Sequence, residues 1–155
     1  MYGDADLTRY AGGVLTAGQA WSRIMAIAGS WSLMGFGPFA IEVKSDGRWA
    51  GCAGPWQPPG WPGLEIGWRL ARWAHGQGYA TEAAALAMEW TFNTLKAPDV
   101  IHTIDVRNRA SIAVAERLGS RRKPGDVASG VSSDAIWTQS SSDWAGNRAR
   151  FFELW

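Results

Sequence analysis

From Trp68 to Trp90 the chain runs without interruption from a strand end (Trp68-Arg-Leu70) through a short basic turn and two glycines, Gly76 and Gly78, into a long alanine-rich helix. This order dictates a strand–turn–helix unit and puts bare backbone at the turn. The glycines remove Cβ atoms where the chain enters the helix. Tyr79, Ala80 and Thr81 then carry first-turn N–H groups that have no partner within the helix. Such a helix start gathers donors and partial positive charge, which suits a phosphate or pyrophosphate.

The flanking segments predict one α/β domain over residues 1–155. Thr16 and Gln19 form a capping-box pattern that opens a helix from Ala17 to Ile27 or Ala28, with Gly29-Ser30 either ending it or bending it into a continuation over Trp31–Met34. Phe39–Val43 and Trp49–Gly54 alternate as strands around the Asp46-Gly47 turn, so they are antiparallel neighbours. Pro55–Gly63 reads as a stiff loop. In the next strand, Leu64–Leu70, the residues Ile66, Trp68 and Leu70 share one face, and Glu65, Gly67 and Arg69 share the other. The alanine-rich helix ends near Thr94, and Val100–Val106 reads as a strand. Asn108 and Ser111 open a helix over Ala110–Leu118, which Gly119 stops. Ala135–Trp137 reads as a short late strand, Ser140–Arg150 as a polar segment and Phe151–Trp155 as an apolar end. Met1–Tyr10 has no strand signal.

Composition narrows the function. The formal net charge is +1 with 19% charged residues, so no global field draws in nucleic acid or a membrane surface. A single cysteine, Cys52, excludes an internal disulfide, and the two histidines, His75 and His102, leave no metal centre to expect. No long apolar run or signal pattern is present, so a cytoplasmic protein is expected. Eleven tryptophans invite two readings, large core filler or an aromatic groove wall. Trp56 and Trp61, in the Pro/Gly-rich segment, suit the second.

The segment His75-Gly-Gln-Gly-Tyr-Ala80 resembles the acetyl-coenzyme A loop of the GNAT family of N-acetyltransferases, whose pattern is Gln or Arg, two variable residues, Gly, one variable residue, then Gly or Ala. Gly78-Tyr-Ala-Thr-Glu-Ala83 is similar to the branch containing the ribosomal-protein alanine acetyltransferases. Asn108 and Ser111, followed by Glu116-Arg-Leu-Gly119, resemble that branch's second coenzyme A motif. The resemblance spans roughly Phe39 to Arg122. It implies a mixed, mostly antiparallel sheet splayed at its centre, helices on both faces, and acetyl-CoA as cosubstrate.

The resemblance also implies site residues. The pantetheine arm would lie along the backbone of Trp68 and Leu70. The pyrophosphate would sit on the amides of Gln77, Gly78, Tyr79, Ala80 and Thr81, with His75 and Gly76 in the same coenzyme loop and Arg72 in reach of a phosphate. Asn108 and Ser111 would touch the arm, or serve only as a helix cap. The implied reaction is direct acetyl transfer to a primary amine, either a peptide N-terminus or a small molecule. Glu65, on the strand that splays, is the candidate base, and Phe36, Trp56 and Trp61 are the candidate wall of the acceptor groove. Three departures stand out: His75 begins the loop pattern, Ala115 replaces a frequent Tyr general acid, and Ser120 replaces a Phe after Gly119. The family's opening strand is also missing ahead of the first helix, which leaves a sheet edge to be completed by another element or chain, as in a homodimer. A non-catalytic acetyl-CoA-binding module is the second reading, and a Trp-rich carbohydrate or peptide binder the third.

Overall fold

The computed structural model describes residues 1–127 and 134–152, with side chains for 1–124 and 134–152. Residues 128–133 and the end of the apolar C-terminal stretch, Glu153–Trp155, lie outside the described residues. Six strands form one sheet in the order β1-β2-β3-β4-β6-β5. They are β1 (Phe39–Glu42), β2 (Trp49–Trp56), β3 (Glu65–Leu70), β4 (Asp99–Asp105), β5 (Arg121–Val127) and β6 (Asp134–Ser140). Every neighbouring pair is antiparallel except β3 and β4. A parallel pair requires a crossover, and the helix α3 (Tyr79–Thr94) supplies it.

The β1–β2 hairpin turns where Asp46-Gly47 predicts it, with the Gly47 N–H donating to the Val43 carbonyl at 2.8 Å. Strand β2 extends through Pro55 and Trp56, beyond the end its sequence predicts. β1 is the sheet edge, and no strand precedes it among the described residues.

Helix α3 lays Ala84, Ala85, Ala87 and Met88 on Ile66 of β3 and Val100 of β4. Small residues let the helix approach the sheet closely, while each fully buried Ile or Met contributes roughly 1.5–3 kcal/mol. Helix α4 (Arg109–Leu118) follows β4 and buries Val114, Ala115 and Leu118. Ser140–Phe152, read in the sequence as polar with an apolar end, is helical: α5 (Ser141–Asn147) and α6 (Ala149–Phe152). Ser140 caps α5, and Trp144 is 2% exposed, its indole N–H donating to Glu89 of α3 at 2.8 Å. Trp144 anchors the segment to the core, and Phe151 and Phe152 of α6 pack their rings against it at 5.5 and 6.4 Å.

The N-terminal side differs in packing. A single turn, α1 (Ala5–Thr8), is capped by Asp4. Helix α2 (Ala17–Met34) carries the predicted capping box, continues through Gly29-Ser30 and stops at Gly35. Of its residues only Ser30 is buried; Trp31 reaches Phe39 and Trp90 at ring distances of 4.9 and 5.9 Å. Trp21 and Leu33 are 64% and 88% exposed. Tryptophan is therefore not uniform core filler: Trp137 and Trp144 are buried, and Trp21, Trp49 and Trp61 are exposed.

Candidate active site

β3 and β4 make a single register pair, Glu65 with Ile101, and the Ile101 N–H donates to the Leu64 carbonyl at 2.9 Å. A continuing parallel ladder would next join the Thr103 N–H to the Ile66 carbonyl. That rung is broken, and two side chains take over its ends. Glu65 Oε1 accepts from the Thr103 N–H at 3.1 Å and from Thr103 Oγ1 at 2.7 Å. His102 Nδ1 donates to the Ile66 carbonyl at 2.7 Å. Both backbone groups stay satisfied while the strands part, which is what permits a cleft inside a sheet. Alternation along β3 turns the backbone of Trp68 and Leu70 the same way as that of Leu64 and Ile66, into the widening gap.

Glu65 is half-buried and holds a third bond, from Trp61 Nε1 to its Oε2 at 2.8 Å. Burial pushes its carboxyl above the ordinary value; the bonds from Thr103 and Trp61 and the attraction of Arg69 oppose this without cancelling it. His102, at 1% exposure, is deep in the core and not on the surface. Burial pulls its pKa down to about 4, so the ring is neutral at neutral pH.

The loop after β3 makes a 3-10 turn over Arg72–Ala74, and Gly76 and Gly78 follow with φ of 76° and 84°. Other residues adopt these angles only with strain. No side chain caps α3, and a Cβ built on Gly76 or Gly78 meets no atom within 4 Å. Open space therefore lies over a helix start that no side chain caps, and nothing beside either glycine would exclude an anion. The neighbouring side chains turn back onto the loop: Gln77 Nε2 donates to the Trp73 carbonyl at 2.8 Å, and His75 Nε2 lies 3.3 Å from the Leu70 carbonyl. Tyr79 and Ala80 pack on the Ala50, Leu70 and Ala74 cluster, and the Thr81 N–H donates to the Gly78 carbonyl.

Arg72 is engaged by the N-terminal segment. Its guanidinium reaches Asp4 Oδ1 at 2.6 Å and Asp6 Oδ2 at 3.0 Å, both at the surface. The same segment sets the Tyr2 ring 5.1 Å from the Arg69 guanidinium and the Tyr10 ring 5.7 Å from that of Arg107. Sequence spacing gives no sign of these contacts. Exposed ion pairs exchange partners at little cost, so Arg72 remains available to a competing anion. Across the gap, Asn108 caps α4, its Oδ1 accepting from the Ser111 N–H at 3.2 Å. Ala115 is fully buried against Ile104, Ala135 and Trp137, so α4 offers no proton donor at that position.

On the other face, Trp56 stands opposite Glu65 in the β2–β3 ladder. Trp56 and the first half of α2 line an open concavity of about 480 Å³, with Leu15, Gln19 and Arg23 among its walls. Gly67, on the same face of β3 as Glu65, has no atom within 4 Å of a built Cβ. Trp61 thus meets the candidate base directly and Trp56 lies across from it. Phe36, in the turn after α2, is half-buried and is not part of that lining. Cys52 is partly buried, and burial pushes its thiol up. Among the described residues no group of three or more His, Cys, Asp or Glu is placed to hold a metal, and no helix is long and apolar enough to cross a membrane.

Residues 1–121 match the family model described as an acetyltransferase (GNAT) domain. The chain is 31% identical over 121 residues to the uncharacterized protein YkkB of Bacillus subtilis strain 168, covering 77% of this chain and 70% of that protein. It superposes on the crystal structure of an acetyltransferase from Agrobacterium tumefaciens strain C58 with a TM-score of 0.80 and 30% identity, covering 86% of this chain and 78% of that one. The fold is also shared with Mycobacterium smegmatis RimJ in complex with CoA-disulfide, at TM-score 0.64, 21% identity and coverage of 87% and 68%. With a broken central rung beside an uncapped helix start, and a family model that spans most of its length, the chain belongs to the GNAT family of acetyltransferases.

Proposed function

We propose that the protein moves an acetyl group from acetyl-CoA to a primary amine by direct transfer. The observation that carries this reading is the broken rung between β3 and β4, opening beside an α3 start that no side chain caps. The CoA bound to RimJ, a protein of the same fold, supports it. When bound, acetyl-CoA supplies an acetyl group activated as a thioester.

In this reading the backbone of Trp68 and Leu70 hydrogen-bonds the pantetheine arm, with Asn108 and Ser111 on its far side. The loop from Gln77 to Ala80 receives the pyrophosphate on backbone N–H groups, since the Thr81 N–H is bonded to the Gly78 carbonyl, and Arg72 trades Asp4 and Asp6 for a phosphate. The acceptor enters from the opposite face, past Trp56 and Trp61. An amine attacks only when neutral, and Glu65 removes its proton directly or through a water; the new amide C–N bond would replace the thioester C–S bond, and CoA would leave through its sulfur. An ionised carboxylate offers about four acceptor sites, and three of those on Glu65 are occupied, which leaves one for the amine. Holding the amine beside a fixed thioester supplies the remaining advantage, since orientation alone removes much of such a barrier.

Calorimetry with CoA, followed by thiol release from acetyl-CoA against a panel of peptide N-termini, small amines and amino sugars, tests the reading. Turnover with any one amine supports it; absence of CoA binding to folded protein rejects it. A non-catalytic acetyl-CoA-binding module is the second reading, favoured by the buried Ala115 in place of a proton donor. CoA binding without thiol release under any amine would select it.

A further inference from the structure

We propose that His102 is a positioning residue that holds the β3–β4 cleft open, its imidazole replacing the missing rung and braced from behind by Ser120 and Gln139. The inference rests on the coenzyme reading of that cleft.

The bonding pattern leaves little freedom. A carbonyl only accepts, so the Ile66 contact requires a proton on His102 Nδ1. In a neutral ring Nε2 is then an acceptor, and its neighbour at 2.9 Å is Ser120 Oγ. The serine hydroxyl has one proton, so donating it to His102 leaves its lone pairs for the Gln139 amide at 3.2 Å. Gln139 Nε2 is buried without a partner in the assigned orientation. Turning the amide over lets that nitrogen donate to Ser120, and the protons then run one way from Gln139 to the Ile66 carbonyl. Ser120 is 5% exposed and Gln139 2% exposed, so water does not compete at either group.

The chain of bonds joins three places that must keep their spacing. Ser120 follows the end of α4, Gln139 sits on β6, and Ile66 lies where β3 leaves β4. The His102 ring also lies 4.9 Å from that of Trp68, the residue whose backbone faces the gap. Remove the imidazole, and the Ile66 carbonyl is left to recover the Thr103 N–H, the closed parallel ladder. The Ser at position 120 has this explanation: a small hydroxyl-bearing residue fits between His102 and Gln139 where a large apolar one would separate them.

The test compares wild type with His102→Leu, His102→Asn, which keeps a donor near the Nδ1 position, and Ser120→Ala. CoA affinity by calorimetry, KM and kcat by thiol release and melting temperature are read for each. His102→Leu is expected to weaken CoA binding by about tenfold or more and to raise KM for acetyl-CoA more than it lowers kcat, with His102→Asn recovering most of the loss. Ser120→Ala is expected to lose about threefold. Folded His102→Leu and Ser120→Ala proteins with wild-type CoA affinity would overturn the inference. Should His102→Leu fail to fold, Ser120→Ala decides, together with the imidazole ¹⁵N shifts of wild type. An Nδ1–H neutral tautomer is the expected result, and an Nε2–H tautomer overturns the proposal. Wild-type protein that fails to bind CoA overturns the coenzyme reading and the inference with it; CoA binding indifferent to His102 and Ser120 overturns the inference alone.

Discussion

The two sides of the candidate site are built in opposite ways. The cleft between β3 and β4 is made of backbone, fixed by buried groups with assigned partners: Glu65 on Thr103, and His102 on Ile66 and Ser120. The proposed acceptor side, the concavity beside Trp56, is walled by α2, a helix with one buried residue and several large apolar side chains in solvent. A ligand held by backbone needs a rigid frame and tolerates varied side chains. A surface that selects an acceptor works through side chains and changes freely. On the proposed reading, the rigid half would hold the coenzyme and the loosely packed half would select the acceptor.

Four perturbations would break or sharpen that comparison. Glu65→Gln keeps an acceptor for Thr103 but loses the base, and turnover should fall by about 10²–10⁴-fold while CoA affinity stays near wild type. Unchanged turnover in thiol-release kinetics would remove Glu65 from the mechanism. Because burial raises its pKa, the acid limb of the wild-type rate profile should fall at a pH above the ordinary carboxylate range, as the base becomes protonated. Gly78→Val forces a β-branched residue to φ of 84° and sets a side chain over the helix start. CoA affinity should drop by about tenfold or more with far-ultraviolet circular dichroism preserved.

Stability should follow pH through His102. Its folded pKa of about 4 lies below the unfolded value of 6.5, so the unfolded chain binds the extra proton between them. Its contribution is complete above about pH 6.5 and is lost as pH falls through 4, by roughly 3 kcal/mol in all. Urea unfolding from pH 7 to 4 should show this slope, reduced in His102→Asn; an equal slope in both would place the titration elsewhere. The smallest effect belongs to the acceptor side. Trp56→Ala should raise KM for the amine by about 3–30-fold, leaving CoA affinity and melting temperature nearly unchanged. An equal loss of CoA affinity would show that the two halves are not separable.

Much of the rigid half was legible because it follows local rules. Gly76, Gly78 and the alanine face announce a tight strand-to-helix turn, and the period of Leu64–Leu70 puts Glu65 and Gly67 on one face. The broken rung was not legible, because it depends on His102 meeting Ile66 and Ser120, 36 and 18 residues away. A lone histidine in a strand has no pattern that reveals such partners. Strand β5 was missed since Arg121-Arg-Lys-Pro124 has no alternation and its pairing with β6 is set by tertiary context. Helix α5 has no apolar period to reveal it, because Trp144 is its one large apolar residue and its aromatic partners, Phe151 and Phe152, lie beyond it in α6. The pairing of Arg72 with Asp4 and Asp6 spans 68 and 66 residues and likewise leaves no local trace.

The most direct measurement is calorimetric titration of CoA into wild type, Gly78→Val and His102→Leu, with folding of each checked by circular dichroism. Saturable one-site binding by wild type, weakened about tenfold or more in both variants, is the predicted result. Folded wild type that takes up no CoA, or binding indifferent to both substitutions, would contradict the assignment of the β3–β4 cleft and the α3 start as the coenzyme site.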